Sequence, residues 1–526
     1  MTARPIPGGW RDVASALDRS IREKPDAEAL IGRYGRYSFR DLDAAIDAAA
    51  AALTALGVAS GDRVAASAAN HPELVIAFFA VQRLGAIWVG VNRALAPPEK
   101  LFQLQDSEAK VFLADAGVAA AIAGHEPQLP ALRHVVDMEP GEQPNAWLRL
   151  IAAHRGAARP AVTIDPQAPA AIAYTSGTTG RPKGAVHSQH NLIVVAATNH
   201  EGLRGPYFQA AMRRGSGLPL TTLNLMILGP LTALSGGGAC VLMDRADAIG
   251  VAEWIAREAV ETLNLAPATL FDFLKKPEIR PEQLRSLTFL MGAGAAVSDE
   301  MRRQFRERFG VEFMGGYGQT EAPTSVTYSD PTHPRPPGAV GRVVGHLDVA
   351  ILDGEGRRLP AGEAGEICVR AAQEGPWANV YTPMLGYWRR DEATAQALRG
   401  GWLHTGDVGV LDDDGYLYVK DRITEMIIRG GANVYPAEVE RVLADHPRVR
   451  AAAVVGKPDE RLGEIVAAFV EVAPGAQSEA ALVEELKAAC LAQIARYKVP
   501  EIWRVTDEMP RNAMNKILKG KLKERL

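Results

Sequence analysis

The stretch AYTSGTTGRPKGAVHSQHNL, from Ala173 to Leu192, crowds glycine, hydroxyl residues and lysine into one short segment. Gly177 and Gly180 would let backbone N–H groups converge on an anion, with Thr175, Ser176, Thr178 and Thr179 as extra donors. Lys183 adds a mobile positive charge. The nucleotide loop G-x-x-x-x-G-K-[ST] cannot be fitted, because Pro182 follows Gly177 where a glycine is required. By residue type alone, a flexible surface loop competes with a phosphate cradle.

A cradle needs elements to hold it. AAIAY before the loop is a short apolar strand pattern, and HNLIVVAATNH after it predicts a helix starting near His190 or Asn191. The expected arrangement is therefore strand, loop, helix. Elsewhere, DRVAASAANHPELVIAFFAVQRLGAIWVGVN reads as strand, helix over about Glu73–Leu84, and strand. VAEWIAREAVETLNLAPATLFDFL repeats the alternation, which argues for parallel sheets covered by helices. From about Gly345 the pattern changes to short strands and Gly/Asp turns. Asp412–Asp414 before Gly415 reads as a hairpin turn rather than a metal site, since the flanking strands alternate. A compact helix–strand–strand–helix–strand–helix region closes the chain.

The expected fold is α/β. Residues 1–420 form a large N-terminal domain of parallel-rich sheets with helices and a small β-barrel-like region. Residues 421–526 form a small mobile α+β domain, with the hinge at Lys420–Thr424. At 526 residues the chain is too long for one core. A net charge of -4 gives no basic field and argues against nucleic acid. Cys240, Cys368 and Cys490 form no C-x-x-C pair and suit a reducing cytoplasm. The first residues carry charges where a secretory signal needs an apolar run. VIAFFAVQRLGAIWVGV, interrupted by Gln82-Arg83, is too short to span a bilayer.

YTSGTTGRPKG resembles the phosphate-binding signature of the adenylate-forming enzymes: acyl-CoA synthetases, luciferases and peptide-synthetase adenylation domains. GGYGQTEA (Gly315–Ala322), GWLHTGDVG (Gly401–Gly409), KDRITEMIIRGGANVYPAEVE (Lys420–Glu440) and PRNAMNKILK (Pro510–Lys519) follow in the family's order. Five ordered motifs extend the resemblance over nearly the whole chain.

The residues and the resemblance together suggest roles. Tyr317 offers a flat face for adenine, with Gly318 and Gln319 beside it; Thr320 can donate to the α-phosphate. Glu321 supplies a hard oxygen for Mg2+, and the resemblance adds Thr178. Asp407 can accept from both ribose hydroxyls, or can satisfy turn amides instead. The resemblance implies that Arg422 supports the ribose or phosphates, and that Gly294, Ala295 and Ala296 line the adenine and acyl chain. It also implies that Lys516, from the small domain, reaches the carboxylate and α-phosphate, where a cation lowers the barrier between two anions. The other tail lysines, Lys519, Lys521 and Lys523, are expected in solvent.

The implied activity is ATP-dependent formation of an acyl-AMP, then thioester formation with coenzyme A. The small domain would swing about Thr424 and bring Gly430 and Gly431 alongside pantetheine. Gly292, Ala293, Gly315, Gly316, Ala322 and Thr222 are candidates for the acyl pocket; small residues there fit an apolar acyl group or tight backbone packing equally. The preferred substrate is a fatty, alicyclic or aromatic monocarboxylate. Transfer to a carrier protein, oxidation of the adenylate, or ATP binding without turnover remain as alternatives. Expected partners are the acid, ATP and coenzyme A, a second copy of the chain in a homodimer, and a lysine acetyltransferase or deacetylase acting on Lys516.

The chain departs from the family pattern at several positions. Asn515 stands where glycine is usual before the lysine, Thr424 where Asp or Lys is common, and Gln189 where His is frequent. Thr221-Thr222 replaces an aromatic residue and His.

Overall fold

The computed structural model describes residues 4–175, 182–201, 209, 211–292, 297, 299–323, 325–329, 335–422, 425–429, 432–459, 461–472, 479–512 and 516–526. Two seven-stranded sheets dominate. In the first, Glu312–Met314, Phe289–Gly292, Thr262–Leu265, Arg214–Ser216, Cys240–Leu242 and Glu28–Ile31 run parallel, and Arg36–Ser38 closes one edge antiparallel. In the second, Ile87–Gly90, Arg63–Ser67, Val111–Ala114 and His134–Asp137 run parallel to Pro169–Thr175. Its other edge is antiparallel, formed by Lys183–Ser188 and Gly386–Tyr387.

One apolar core joins these sheets through the helices Phe39–Ala55, Pro72–Arg83 and Gln189–His200. Ser38 and Asp41 start the first helix as a reciprocal capping box. Every residue of Pro72–Arg83 is buried, including its polar ones. Burial is tolerable because each polar group finds a partner. Glu73 accepts from the Tyr37 hydroxyl at 2.9 Å, and Arg83 pairs with Asp43 and Asp47. Gln82 donates to the Ala170 carbonyl at 3.2 Å and accepts from Gln189 at 2.8 Å. Gln189 in turn accepts from the Val13 N–H at 2.9 Å. The glutamine that departs from the family pattern is thus a buried link between three segments.

Gly90, the last residue of its strand, lies against the segment that follows Arg214–Ser216. A Cβ there would stand 1.9 Å from the Thr221 carbonyl oxygen, so only glycine permits the approach. The region after Gly345 is a four-stranded antiparallel sheet, in the order Leu347–Leu352, Gly365–Ala371, Leu403–Leu411, Leu417–Arg422. Asp412 makes the expected hairpin turn, its Oδ1 accepting from the N–H of Asp414 at 3.1 Å and of Tyr416 at 2.8 Å. The C-terminal sheet runs Ala432–Val434, Ile427–Arg429, Gly463–Val472, Val449–Asp459, with Ile502–Thr506 parallel to Gly463–Val472. It has its own core, covered by helices Pro436–Ala444 and Glu479–Gln493.

The helix expected over about Glu73–Leu84 is present as Pro72–Arg83. One local expectation needs correction. The Gly/Thr-rich segment does not lead straight into a helix. It joins Pro169–Thr175 to the antiparallel strand Lys183–Ser188, and only then does Ser188 cap the helix Gln189–His200. The run Gly184–Ser188 lies between two strands, and that pairing outweighs the short loop-to-helix reading. No helix among the described residues is long and apolar enough to cross a membrane.

Candidate active site

The hairpin places Thr175 directly opposite Lys183. Thr175 Oγ1 lies 3.4 Å from Glu321 Oε1, and the same oxygen accepts from the Tyr387 hydroxyl at 2.9 Å. The Lys183 ammonium sits over the Tyr387 ring, 5.3 Å from its centroid. Tyr387 thus holds the cation on its face and the carboxylate at its hydroxyl. It reaches this place because Gly386–Tyr387 pairs with the hairpin strand, Tyr387 opposite Ala185. The Glu321 carbonyl accepts from the Met384 N–H at 2.9 Å, fixing the turn that presents its carboxylate.

Glu321 belongs to a tight turn in which the Ala322 N–H donates to the Gln319 carbonyl at 3.2 Å. Tyr317 lies just before that turn, its N–H held by Thr327 Oγ1 at 3.0 Å and its carbonyl by the Val326 N–H at 2.7 Å. The Tyr317 hydroxyl donates to Asp407 Oδ2 at 2.5 Å. Asp407 is buried on Leu403–Leu411, opposite Arg422 in the backbone register. The bend before it is fixed residue by residue. Gly406 has φ +72, a conformation that favours glycine, and its N–H donates to Glu366 Oε1 at 3.0 Å. Glu366 Oε2 lies 2.7 Å from His404 Nδ1, and Thr405 Oγ1 accepts from the Asp407 N–H at 3.1 Å.

His187, on the hairpin strand, is fully buried, and burial pushes its imidazole down to about 3. It is a neutral group beneath the site. Burial also raises the Tyr174 phenol well above its ordinary range, and its hydroxyl donates to Asp106 at 2.8 Å, anchoring the residue before Thr175.

The acyl-pocket candidates divide. Gly316 is small for a packing reason: a Cβ there would lie 2.4 Å from the Thr327 carbonyl oxygen. At Gly315 it would lie 2.8 Å from the Arg302 guanidinium. Ala322 is buried in the core beneath the four-stranded sheet. Gly292 ends its strand opposite Leu265, beside a cluster of Met212, Phe289, Met314, Met291 and Tyr328. Thr222 precedes the short helix Leu223–Met226, and its carbonyl accepts from the Leu225 N–H at 3.0 Å.

Lys516 is exposed, on a hairpin in which Arg511 pairs with Ile517. Its N–H donates to Asn512 Oδ1 at 2.9 Å, and its carbonyl accepts from the Asn512 N–H at 2.8 Å. Lys519, expected in solvent, is largely covered. Its ammonium lies 2.9 Å from Glu425 and 2.8 Å from Glu440. Ser176, Gly177, Thr178, Thr179, Gly180, Ala293, Gly294, Ala295, Ala296, Thr424, Gly430, Gly431 and Asn515 lie outside the described residues, as does the Arg422 side chain.

The structure thus brings Thr175, Glu321, Tyr387 and Lys183 into contact, and pairs Tyr317, four positions before Glu321, with Asp407. Sequence reasoning missed Tyr387, Glu366, His404 and His187. A lone Tyr after Gly386 carries no local signal; only strand pairing delivers it to Glu321.

The chain matches the AMP-binding enzyme family over residues 17–388 and the AMP-binding enzyme C-terminal domain over residues 438–516. It is 35% identical over 523 residues to a feruloyl-CoA synthase of Amycolatopsis sp., covering 96% of this chain and 97% of the relative. It is 34% identical over 525 residues to an indoleacetate–CoA ligase of Aromatoleum aromaticum, covering 98% of each. The solved anthranilate CoA ligase AuaEII, in complex with anthranoyl-AMP, superposes with a TM-score of 0.90 at 28% identity, covering 98% of this chain and 97% of that one. The chain belongs to the AMP-binding enzyme family, among the adenylate-forming acyl-CoA synthetases.

Proposed function

We propose that this AMP-forming acid–thiol ligase activates an aromatic monocarboxylate. Aromatic acids appear in the names of the two relatives and the solved structure, and methionines and a tyrosine cluster beside Gly292. The observation that carries the reading of the site is the linkage from the phosphate hairpin through Glu321 and Tyr387, with the Tyr317–Asp407 pair nearby in the same motif.

In the first half-reaction, a carboxylate oxygen of the acid attacks the α-phosphorus of ATP. The bond to the pyrophosphate oxygen breaks, giving acyl-AMP and pyrophosphate. Thr175 and Lys183 hold the leaving pyrophosphate, with donors from the rest of the hairpin loop (Ser176 to Gly180). Tyr317 stacks on adenine beside Gly318 and Gln319, Asp407 accepts from the ribose hydroxyls, and Arg422 supports them. Thr320 donates to the α-phosphate. Lys516 neutralises the reacting oxygens. The carboxylate of Glu321 and the hydroxyl of Thr175, 3.4 Å apart, are hard oxygens that would suit Mg2+. Bound there, Mg2+ would offset phosphate charge.

In the second half-reaction, the thiol of coenzyme A attacks the acyl carbon, loses its proton, and AMP leaves. Lys516 and the thiol need the same space, so residues 421–526 turn about Thr424 relative to residues 1–420, presenting Gly430 and Gly431 to pantetheine. Exposure of Lys516 also makes it accessible to an acetyltransferase, and acetylation would remove the required charge. Cys240, Cys368 and Cys490 are buried free thiols, which fits a reducing cytoplasm. A panel of aromatic, alicyclic and fatty acids, read by AMP release with and without coenzyme A, tests the substrate. Highest turnover on an aromatic acid supports the reading; turnover on acetate or amino acids alone overturns it.

A further inference from the structure

Lys516 must arrive at a precise position from a nine-residue hairpin, Pro510 to Leu518, closed by the Leu518 N–H donating to the Pro510 carbonyl. Ile517 packs against a small core of Ala453, Val455, Phe469, Met509 and Leu522, and polar contacts at the two ends fix the hairpin further. At one end, Arg511 lies 3.0 Å from Glu471, a carboxylate buried to 3% side-chain exposure that also accepts from the Met509 N–H at 3.0 Å. That end is riveted to the strand Gly463–Val472.

The other end is Lys519. Its ammonium bridges Glu425 Oε2 at 2.9 Å and Glu440 Oε1 at 2.8 Å. All three side chains are mostly covered, with exposures of 17%, 30% and 21%. Glu440 is itself fixed, since its Oε1 accepts from the Val454 N–H at 2.7 Å. Glu425 is the first described residue after Thr424. Lys519 therefore joins the foot of the Lys516 hairpin to the segment leaving the hinge, and to the helix Pro436–Ala444. One cation between two carboxylates is well compensated, while a flexible stem at an exposed site would gain little.

We propose that Lys519 is a positioning residue for adenylation, clamping the hairpin so that hinge rotation delivers the Lys516 ammonium to one place. The proposal rests on the reading of Lys516 as the adenylation cation. Lys519 is not needed when the same domain presents its other face for thioester formation. A displacement of about 1 Å in a charge at the reacting centre costs up to roughly 100-fold in rate, so loss of the clamp should be selective for the first half-reaction.

The test uses the full chain with the most active acid of the panel, beginning with ferulate, and its synthetic adenylate. Lys519→Met is expected to slow ATP–pyrophosphate exchange roughly 10- to 100-fold while thioester formation from supplied acyl-AMP stays within about twofold. Lys519→Arg should restore most of the exchange. Glu425→Gln, which keeps the shape and removes one charge, should give the same split in weaker form, and serves if Lys519→Met does not fold. Unchanged exchange in Lys519→Met overturns the proposal. An equal fall in both half-reactions also overturns it, because it marks a merely structural anchor. Lys516→Ala separates the two levels: parent exchange there sinks the underlying reading, whereas lost exchange there with normal exchange in Lys519→Met sinks only the clamp.

Discussion

The Tyr317 hydroxyl and the Asp407 carboxylate meet at 2.5 Å although 90 positions separate them. This bond joins the turn that carries Glu321 to the strand of the antiparallel sheet, and it aims the buried carboxylate beside the tyrosine ring. Hydrogen bonds to a charged acceptor contribute about 1.5–3 kcal/mol, so Asp407→Ala should weaken ATP binding by roughly 10- to 100-fold. Tyr317→Phe keeps the ring and loses only the hydroxyl; a weakening of about 2- to 10-fold is expected. Calorimetric titration with ATP measures both, and a larger loss in Tyr317→Phe than in Asp407→Ala would contradict the assignment.

In the proposed site Glu321 would hold a divalent ion, with the Tyr387 hydroxyl donating to its carboxylate at 2.9 Å. Glu321→Gln should lower adenylation by roughly 100- to 1,000-fold, the scale seen on removing one charge-stabilising group. Tyr387→Phe leaves the carboxylate but removes its tyrosine donor, so the expected change is a higher Mg2+ concentration at half-maximal exchange with little change at saturation. Initial rates over a Mg2+ series check this. An unchanged Mg2+ dependence in both variants would remove Glu321 from the metal site.

Much of this was legible in the sequence, and the limits are physical. The β-α alternation, the short strands and Gly/Asp turns after Gly345 and the Asp412 turn follow from local periodicity and turn chemistry. Asp407 and Glu321 could be picked out because each sits in a motif whose neighbours constrain the backbone. Tyr387 could not, because its function comes from pairing with a strand about 200 positions earlier. The hairpin was misread as strand–loop–helix because Lys183–Ser188 is short and a helix does begin directly after it. Lys519 looked like one more solvated lysine in KILKGKLKERL; Glu425 and Glu440, which cover it, are distant in sequence.

Packing of the strand end at Gly90 against the segment carrying Thr221 should be intolerant. Gly90→Ala places a methyl 1.9 Å from the Thr221 carbonyl, and overpacking of this kind costs about 1–3 kcal/mol or more. Gly117→Ala, within the helix Ala116–Ile122 and with open space around its Cβ, should be neutral or stabilising by up to about 1 kcal/mol. Urea melts of the two variants give the comparison. A neutral Gly90→Ala would mean that Gly90 and Thr221 do not approach as described.

Acid stability should carry the mark of His187. Its folded-state value is lowered to about 3, from an ordinary value near 6.5. The unfolded chain therefore takes a proton below about pH 6.5 that the folded chain refuses until about pH 3. Stability is fully present above that window and falls through it as the pH drops, by about 1.4 kcal/mol per unit for one proton. His187→Leu should flatten the dependence of unfolding free energy on pH by that one-proton slope between pH 6.5 and 5. Denaturant melts at three pH values decide it, and an identical slope in the parent and variant would contradict a buried neutral imidazole.

In the proposed mechanism a cation from the C-terminal hairpin joins the phosphate hairpin and Glu321 during acid activation. ATP–pyrophosphate exchange by Lys516→Ala, with acyl transfer from supplied acyl-AMP measured in parallel, tests it most directly. The account predicts that exchange falls by at least roughly 100-fold while acyl transfer to coenzyme A persists. Exchange at the parental rate would contradict it.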